Sequence, residues 1–183
     1  MCGLRAAARD IRPPDADRRR DLADRILAET RRRCLHPSGR WQRAAGDPRP
    51  DAALLRPLVS STWPPDDPML TATRRAVERE LTEDGFVCRF HDDDTPRLGD
   101  SEGAFLLCGF LMTAACRAEG RPVAAARWFE RTRGAVGPPG LFSEEYDVRR
   151  RRLRGNLPQA FVHAFLLENA ARWATEVDGD GEE

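Results

Sequence analysis

Three carboxylates fall within four positions, Glu144, Glu145 and Asp147, with Tyr146 among them. The chain then passes through Gly155–Asn156–Leu157–Pro158–Gln159 into an apolar segment. A carboxylate held at the mouth of a helical core can act as a general base, drawing a proton from an attacking water. Glu145 and Asp147 crowd Glu144 with like charge. Two other stretches carry side chains of similar promise. One holds Trp41, Gln42 and Asp51; the other holds Arg89, Phe90, His91, Asp92–Asp94 and Glu102. Carboxylates, an arginine and aromatic faces together suit a sugar, whose hydroxyls take paired hydrogen bonds and whose ring stacks on aromatic planes.

Helices must position these residues, and six helical segments can be read. The first spans residues 15–34, with Asp15 as N-cap and Leu22, Ile26 and Leu27 as its apolar stripe. The second covers 51–59. The third starts at Asp67–Pro68, a cap followed by a first-turn proline, and reaches Leu81. The fourth covers 103–117, the fifth runs from Pro122 to Arg133, and the sixth starts at Asn156–Leu157–Pro158 and ends near Thr175. No alternating stretch is long enough to predict a strand.

Segments 51–59, 103–117 and 157–173 are apolar nearly all round, as buried helices are. The other three are rich in Arg, Asp and Glu with one apolar stripe, and the two kinds alternate along the chain. The buried segments share an early alanine, Ala52, Ala104 and Ala160, spaced 52 and 56 residues apart. This is a weak repeat of one helix pair per unit, and stacked pairs form an α/α toroid or solenoid. Long connections, 35–50, 82–102 and 134–156, all lead into the buried helices. They predict one functional rim at those helices' N-terminal ends.

Composition narrows the function classes. The 183 residues carry 30 basic and 30 acidic side chains, so no global field favours nucleic acid or an anionic membrane. Every basic residue is Arg, which removes lysine chemistry. The run Arg149–Arg152 with Arg154 lacks aromatic interleaving and reads as a solvated loop, with no nucleic-acid partner expected. The first 20 residues hold no apolar run, so a cytoplasmic location and no membrane association are expected. Five cysteines, Cys2, Cys34, Cys88, Cys108 and Cys116, are expected as free thiols. No metal site is expected: His91 with Asp92–Asp94 reads as a solvated acidic loop, and His163 as a hydrogen-bonded core histidine.

Several ordered motifs carry a family resemblance. Leu81–Thr82–Glu83–Asp84–Gly85–Phe86 with Cys88–Arg89–Phe90, then Gly99–Asp100–Ser101–Glu102–Gly103–Ala104–Phe105–Leu106–Leu107–Cys108, resembles bacterial glycoside hydrolase family 15. So does Leu141–Phe142–Ser143–Glu144–Glu145–Tyr146–Asp147, followed by Leu153–Arg154–Gly155–Asn156–Leu157–Pro158–Gln159–Ala160–Phe161–Val162–His163. The resemblance covers roughly residues 20–175 and implies an all-α fold, an (α/α)6 toroid. This chain resembles its C-terminal half, about three of six helix pairs. Residues 1–14 are then expected to be a disordered segment, 15–175 the half-toroid, and 176–183 an acidic tail.

The implied chemistry is inverting hydrolysis of α-glucosidic bonds in maltooligosaccharides, dextran or trehalose, with no organic cofactor. Glu144 takes the general-base position. Arg89, Tyr146, Glu102, Glu145 and Trp41 are the expected substrate-binding residues. An inverting glycosidase needs a second carboxyl about 6.5–9.5 Å from the first. In the family that acid follows a tryptophan, whereas the four tryptophans here precede Gln42, Pro64, Phe129 and Ala174. The acid segment is therefore absent from this sequence. A separately encoded N-terminal half or a second copy would be the partner of an active enzyme. The rival reading is a non-catalytic relic or a carbohydrate-binding or interaction module.

Overall fold

The computed structural model describes residues 15–59, 67–90 and 103–179, with side chains as far as 174. The expectations for residues 1–14, for His91, Asp92–Asp94 and Glu102, and for the end of the acidic tail lie outside them.

The described chain is mostly helical. Helix α1 is Asp15–Cys34, and a 3-10 helix follows at Ala52–Val59. Then come α2 (Pro68–Glu80), β1 (Thr82–Glu83), β2 (Phe86–Val87), β3 (Ala104–Phe105), α3 (Leu106–Ala118) and α4 (Pro122–Arg133). The chain finishes with β4 (Glu145–Asp147), β5 (Arg152–Arg154) and α5 (Ala160–Gly179). None of these helices is long and apolar enough to cross a membrane.

The helix signals work where capping chemistry is explicit. The Asp67 carboxylate accepts the Met69 N–H at 2.9 Å, and Pro68 occupies the first turn of α2. At the other end of α3 the Arg121 N–H reaches the Cys116 carbonyl, and Gly120 at φ +67° makes the tight exit into α4.

Helix α3 is the axis of the core. Phe110, Met112, Ala115 and Cys116 are completely buried along it. One cluster joins it to the 3-10 helix, α2 and α4 through Leu55, Leu70, Val77, Leu111 and Ala125. The second lies under the strands and α5, where Phe110 meets Phe129 at 5.8 Å and Phe142 edge-on at 6.0 Å. A fully buried phenylalanine contributes about 2–3 kcal/mol. The Arg74 guanidinium, 2% exposed, clips α2 to the end of α3 through Glu119 at 2.7 Å and also pairs with Glu78. Burial opposes its charge, but hydrogen bonds and charge from Glu119 and Glu78 outweigh burial and hold its pKa above the ordinary range.

Four expectations need correction. Strands exist, though each has only two or three residues: β1–β2 is a hairpin, and β3–β4–β5 form an antiparallel sheet. Such short strands leave no period to read. The second segment winds as a 3-10 helix with Pro57 inside it, because an interior proline removes an N–H and crowds the preceding turn. The stripe of α1 is Ala16, Ala23 and Leu27, not the predicted Leu22 and Ile26, which are each 39% exposed. Finally, α5 starts at Ala160, after a cis Leu157–Pro158 bond, and continues to Gly179. It is not buried all round: Val162 and Asn169 face inward, whereas Phe161 and Leu167 are 70% and 67% exposed.

Candidate active site

Backbone hydrogen bonds tie the long loops to the helix starts. The Ala52 N–H, opening the 3-10 helix, donates to the Arg89 carbonyl at 2.8 Å. The Leu106 N–H, opening α3, donates to the Glu144 carbonyl at 3.1 Å. The Gln159 N–H, just before α5, donates to Phe142 at 2.9 Å. These donors belong to helix starts that lack intrahelical partners, so incoming loops satisfy them. Strands complete the scaffold: Ala104 pairs with Tyr146, and Tyr146 with Leu153.

Glu144 lies just before β4. Its Oε2 accepts the Asn156 side-chain N–H at 2.8 Å and the Asn156 backbone N–H at 3.4 Å. Its own N–H donates to the Asn156 carbonyl at 2.9 Å. Gly155 makes this wrap possible: its φ is +72°, and a Cβ there would lie 3.1 Å from both Glu144 Cβ and Oε2. Asn156 thus fixes one carboxylate oxygen. The sequence motif contains Asn156 without marking its role; the adjacent Gly155, a turn residue, is the available signal.

The like charges beside Glu144 are compensated. Glu145 Oε2 accepts the Gly103 N–H at 2.9 Å and lies 3.7 Å from Arg154. Asp147 accepts the Arg150 N–H at 2.9 Å and lies 3.4 and 3.6 Å from Arg150 and Arg152. The Arg150 N–H, aided by those guanidinium charges, holds Asp147 below the usual carboxylate range. The basic run Arg149–Arg152 is an exposed loop, as expected, with surface ion pairs along it. Arg149 pairs with Glu83 at 3.2 Å, and Arg150 and Arg152 meet Asp147 across the β4–β5 turn.

Arg89 is half-exposed, with Nε 3.8 Å from Asp51. Phe90 lies beneath two guanidiniums, Arg43 at 4.2 Å and Arg89 at 5.6 Å from its centroid. Asp51 caps the 3-10 helix through the Ala53 N–H at 2.8 Å and lies 4.0 Å from Arg43. Arg43 was not among the expected residues, because nothing in the local pattern marks it. Tyr146 is half-buried with its ring 4.8 Å from Phe86. Trp41 is a core residue at 5% exposure, so its ring offers no open stacking face. Glu145 is engaged in holding β3 against β4.

His163 behaves as a core histidine. Its Nδ1 lies 2.9 Å from the Gln159 carbonyl and its Nε2 accepts the Phe142 N–H at 3.3 Å, which selects the Nδ1–H tautomer. Cys34, Cys88, Cys108 and Cys116 are free thiols. Burial pushes Cys108 up to about 12 and Cys116 to about 11. Among the described residues no group of three or more His, Cys, Asp or Glu could hold a metal ion. An open groove of about 680 Å³ lined by Arg121, Val123, Arg127 and Trp128 contains none of the candidate residues.

Comparison with known proteins bears on this arrangement. The chain is 34% identical to a trehalase of Mycobacterium tuberculosis over 98% of its own length and 27% of the relative's. It is also 34% identical to a trehalase of Mycolicibacterium smegmatis over 88% of itself and 25% of that protein. A trehalase of Thermoplasma acidophilum is 32% identical over 69% of the chain. The chain thus spans about a quarter of the curated relatives it matches. Its fold superimposes on a wild-type glycosidase with a TM-score of 0.73 at 21% identity, covering 87% of this chain and 45% of that one. A glycosidase in complex with glucose gives 0.72 at 22% identity, with the same coverage. The profile of glycosyl hydrolases family 15 matches residues 1–171. The ordered motifs around Arg89, Glu144 and Asn156, the glycosidase-like fold and the profile match agree: this chain belongs to glycosyl hydrolase family 15.

Proposed function

We propose that this chain supplies the general-base half of an inverting α-glucoside hydrolase, with Glu144 as base and trehalose as the first substrate to test. The observation that carries the reading is the Glu144 carboxylate, with Oε2 fixed by Asn156 within a family 15 motif. One oxygen held by a neutral donor keeps the group oriented while the other serves the attacking water. Arg89 and Tyr146 remain the substrate-binding residues, with Arg89 oriented by Asp51. Glu145 supports β4 from behind, Trp41 supports the core, and Glu102 belongs to the same proposed set. Trehalose is favoured over maltooligosaccharides and dextran because the relatives described above are named trehalases.

The helix pairs are read as half of an (α/α)6 toroid, in keeping with coverage of 45% of the glycosidase chains. The catalytic acid then comes from outside the present sequence, since one carboxylate cannot both protonate the leaving group and activate water. A complementary N-terminal half carries it. The test is hydrolysis of trehalose, maltose and isomaltose by the chain alone and with such a half, each repeated with Glu144→Gln. Turnover that Glu144→Gln removes supports the assignment; turnover that survives the substitution refutes it. The rival reading is a carbohydrate-binding module without catalysis. Glucoside binding by calorimetry with no turnover in any combination would support that alternative.

A further inference from the structure

Strand pairing fixes the backbone of Tyr146 on both sides, through Ala104 and Leu153. It does not fix the ring, which still turns about its side-chain bonds. Phe86 restrains that ring: the centroids lie 4.8 Å apart and the planes are 34° from parallel. This separation is favourable for an aromatic pair. Phe86, 5% exposed, in turn carries the Arg131 guanidinium 4.4 Å from its centroid. Three segments distant in sequence, α4, β2 and β4, thus meet in one continuous contact.

The hairpin that bears Phe86 cannot hold this ring by itself. Strands β1 and β2 have two residues each, too few for a hairpin to be stable alone. Its turn also places Asp84 and Gly85 at φ 47° and 75°. Arg131 ties the hairpin down. Its Nε and a terminal nitrogen both donate to the Asp84 carbonyl, at 2.9 and 2.7 Å, and the guanidinium pairs with the Asp84 carboxylate. One side chain therefore fixes the turn and lies on the ring. Arginine suits both tasks, because its planar fork donates in its own plane while its face stacks on an aromatic ring.

We propose that Arg131 is a positioning residue of the candidate site: through Phe86 it sets the orientation of the Tyr146 ring, and so how tightly a glucoside is held. This rests on the reading of Tyr146 as a substrate-binding residue. Arg131 acts from α4 with its side chain 43% exposed, so replacing it removes little core packing.

Tyr146 is the single tyrosine of the chain, so tyrosine-selective ring carbon-13 labelling gives NMR signals from this residue alone. The test follows those signals in the whole chain, with and without glucose and trehalose. Arg131→Met should move them towards their unfolded positions while the far-ultraviolet circular dichroism spectrum stays unchanged. Arg131→Lys keeps a cation near Phe86 and should recover part of that movement. Arg149→Gln cuts the other tie of the hairpin, the pair with Glu83, and should leave the signals in place. Glucoside affinity read from the same signals should fall about two- to fivefold in Arg131→Met, the size of one exposed cation–π contact. Signals unmoved by Arg131→Met, or moved as far by Arg149→Gln, overturn the proposal. A glucoside response that Arg131→Met leaves unchanged refutes the positioning role alone. Signals that Arg131→Met moves but no glucoside moves show that Tyr146 is not a sugar contact, and then the reading of the site fails together with the proposal.

Discussion

Replacing Asn156 with alanine probes the side-chain contact that orients Glu144. The side-chain N–H lies 2.8 Å from Glu144 Oε2, a neutral donor on a carboxylate. Hydrogen bonds to charged groups contribute about 1.5–3 kcal/mol when buried. Asn156 is exposed, so water replaces part of the lost donor. The backbone N–H of residue 156 at 3.4 Å also survives the substitution. We therefore expect a loss of about 1 kcal/mol, with a melting temperature lower by about 3 °C for a domain of this size. Urea unfolding should show a lower midpoint at an unchanged slope, because the unfolded chain is unaffected. A double-mutant cycle with Glu144→Ala should return a coupling of about 0.5–1.5 kcal/mol. Asn156→Asp should cost more at neutral pH, since it sets a second carboxylate against the first. If Asn156→Ala shifts stability by less than about 0.3 kcal/mol and the coupling vanishes, Asn156 does not hold Glu144 and the geometric basis of the base assignment fails.

Other outcomes follow from the same contacts. Gly155→Ala should destabilise by about 1–2 kcal/mol in urea, since φ +72° is unfavourable for alanine and its Cβ would press on Glu144. Arg74→Met should leave Glu119 buried without its cation and lower stability by about 3 kcal/mol, measured by the same unfolding; the double change with Glu119→Leu should recover part of the loss. Acid unfolding should start as pH falls from about 4 towards 2. Asp47, held at about 2 by its hydrogen bond to Arg49, and Asp147, held low by the Arg150 N–H, contribute stability above the unfolded carboxylate pKa and lose it as they protonate. Asp147→Asn should flatten that pH dependence. Cys108 and Cys116, raised to about 12 and 11, should resist a thiol reagent at pH 8 in the native state and react on unfolding.

Much of the framework was legible in the sequence because its signals are local. An aspartate before a proline set the start of α2 at Pro68, and Gly120–Arg121–Pro122 set the junction of α3 and α4. The continuous apolar run of α3 required burial on all sides, and the structure buries it. The ordered motifs sufficed for the family. The Asp84–Gly85 dipeptide, with φ of 47° and 75°, turns the β1–β2 hairpin, which the sequence left unread because two-residue strands carry no alternation.

Partners distant in sequence were beyond its reach. Nothing local distinguishes Trp41 as a core residue from Trp41 as a sugar platform; burial by α2 and α3 decides that. Arg89 finds Asp51, Arg74 finds Glu119, and Asn156 turns back on Glu144, each through a fold that brings separated segments together. The exposed apolar side chains of α5 show the same limit most clearly. Periodicity reports that a helix is apolar on two sides but cannot report how many neighbours are present to cover them. Composition and capping are properties of short windows, so the sequence by itself determined the helices and the family. Which carboxylates are paired, which rings are buried and which apolar face stays open depend on long-range packing, and only the tertiary structure decided them.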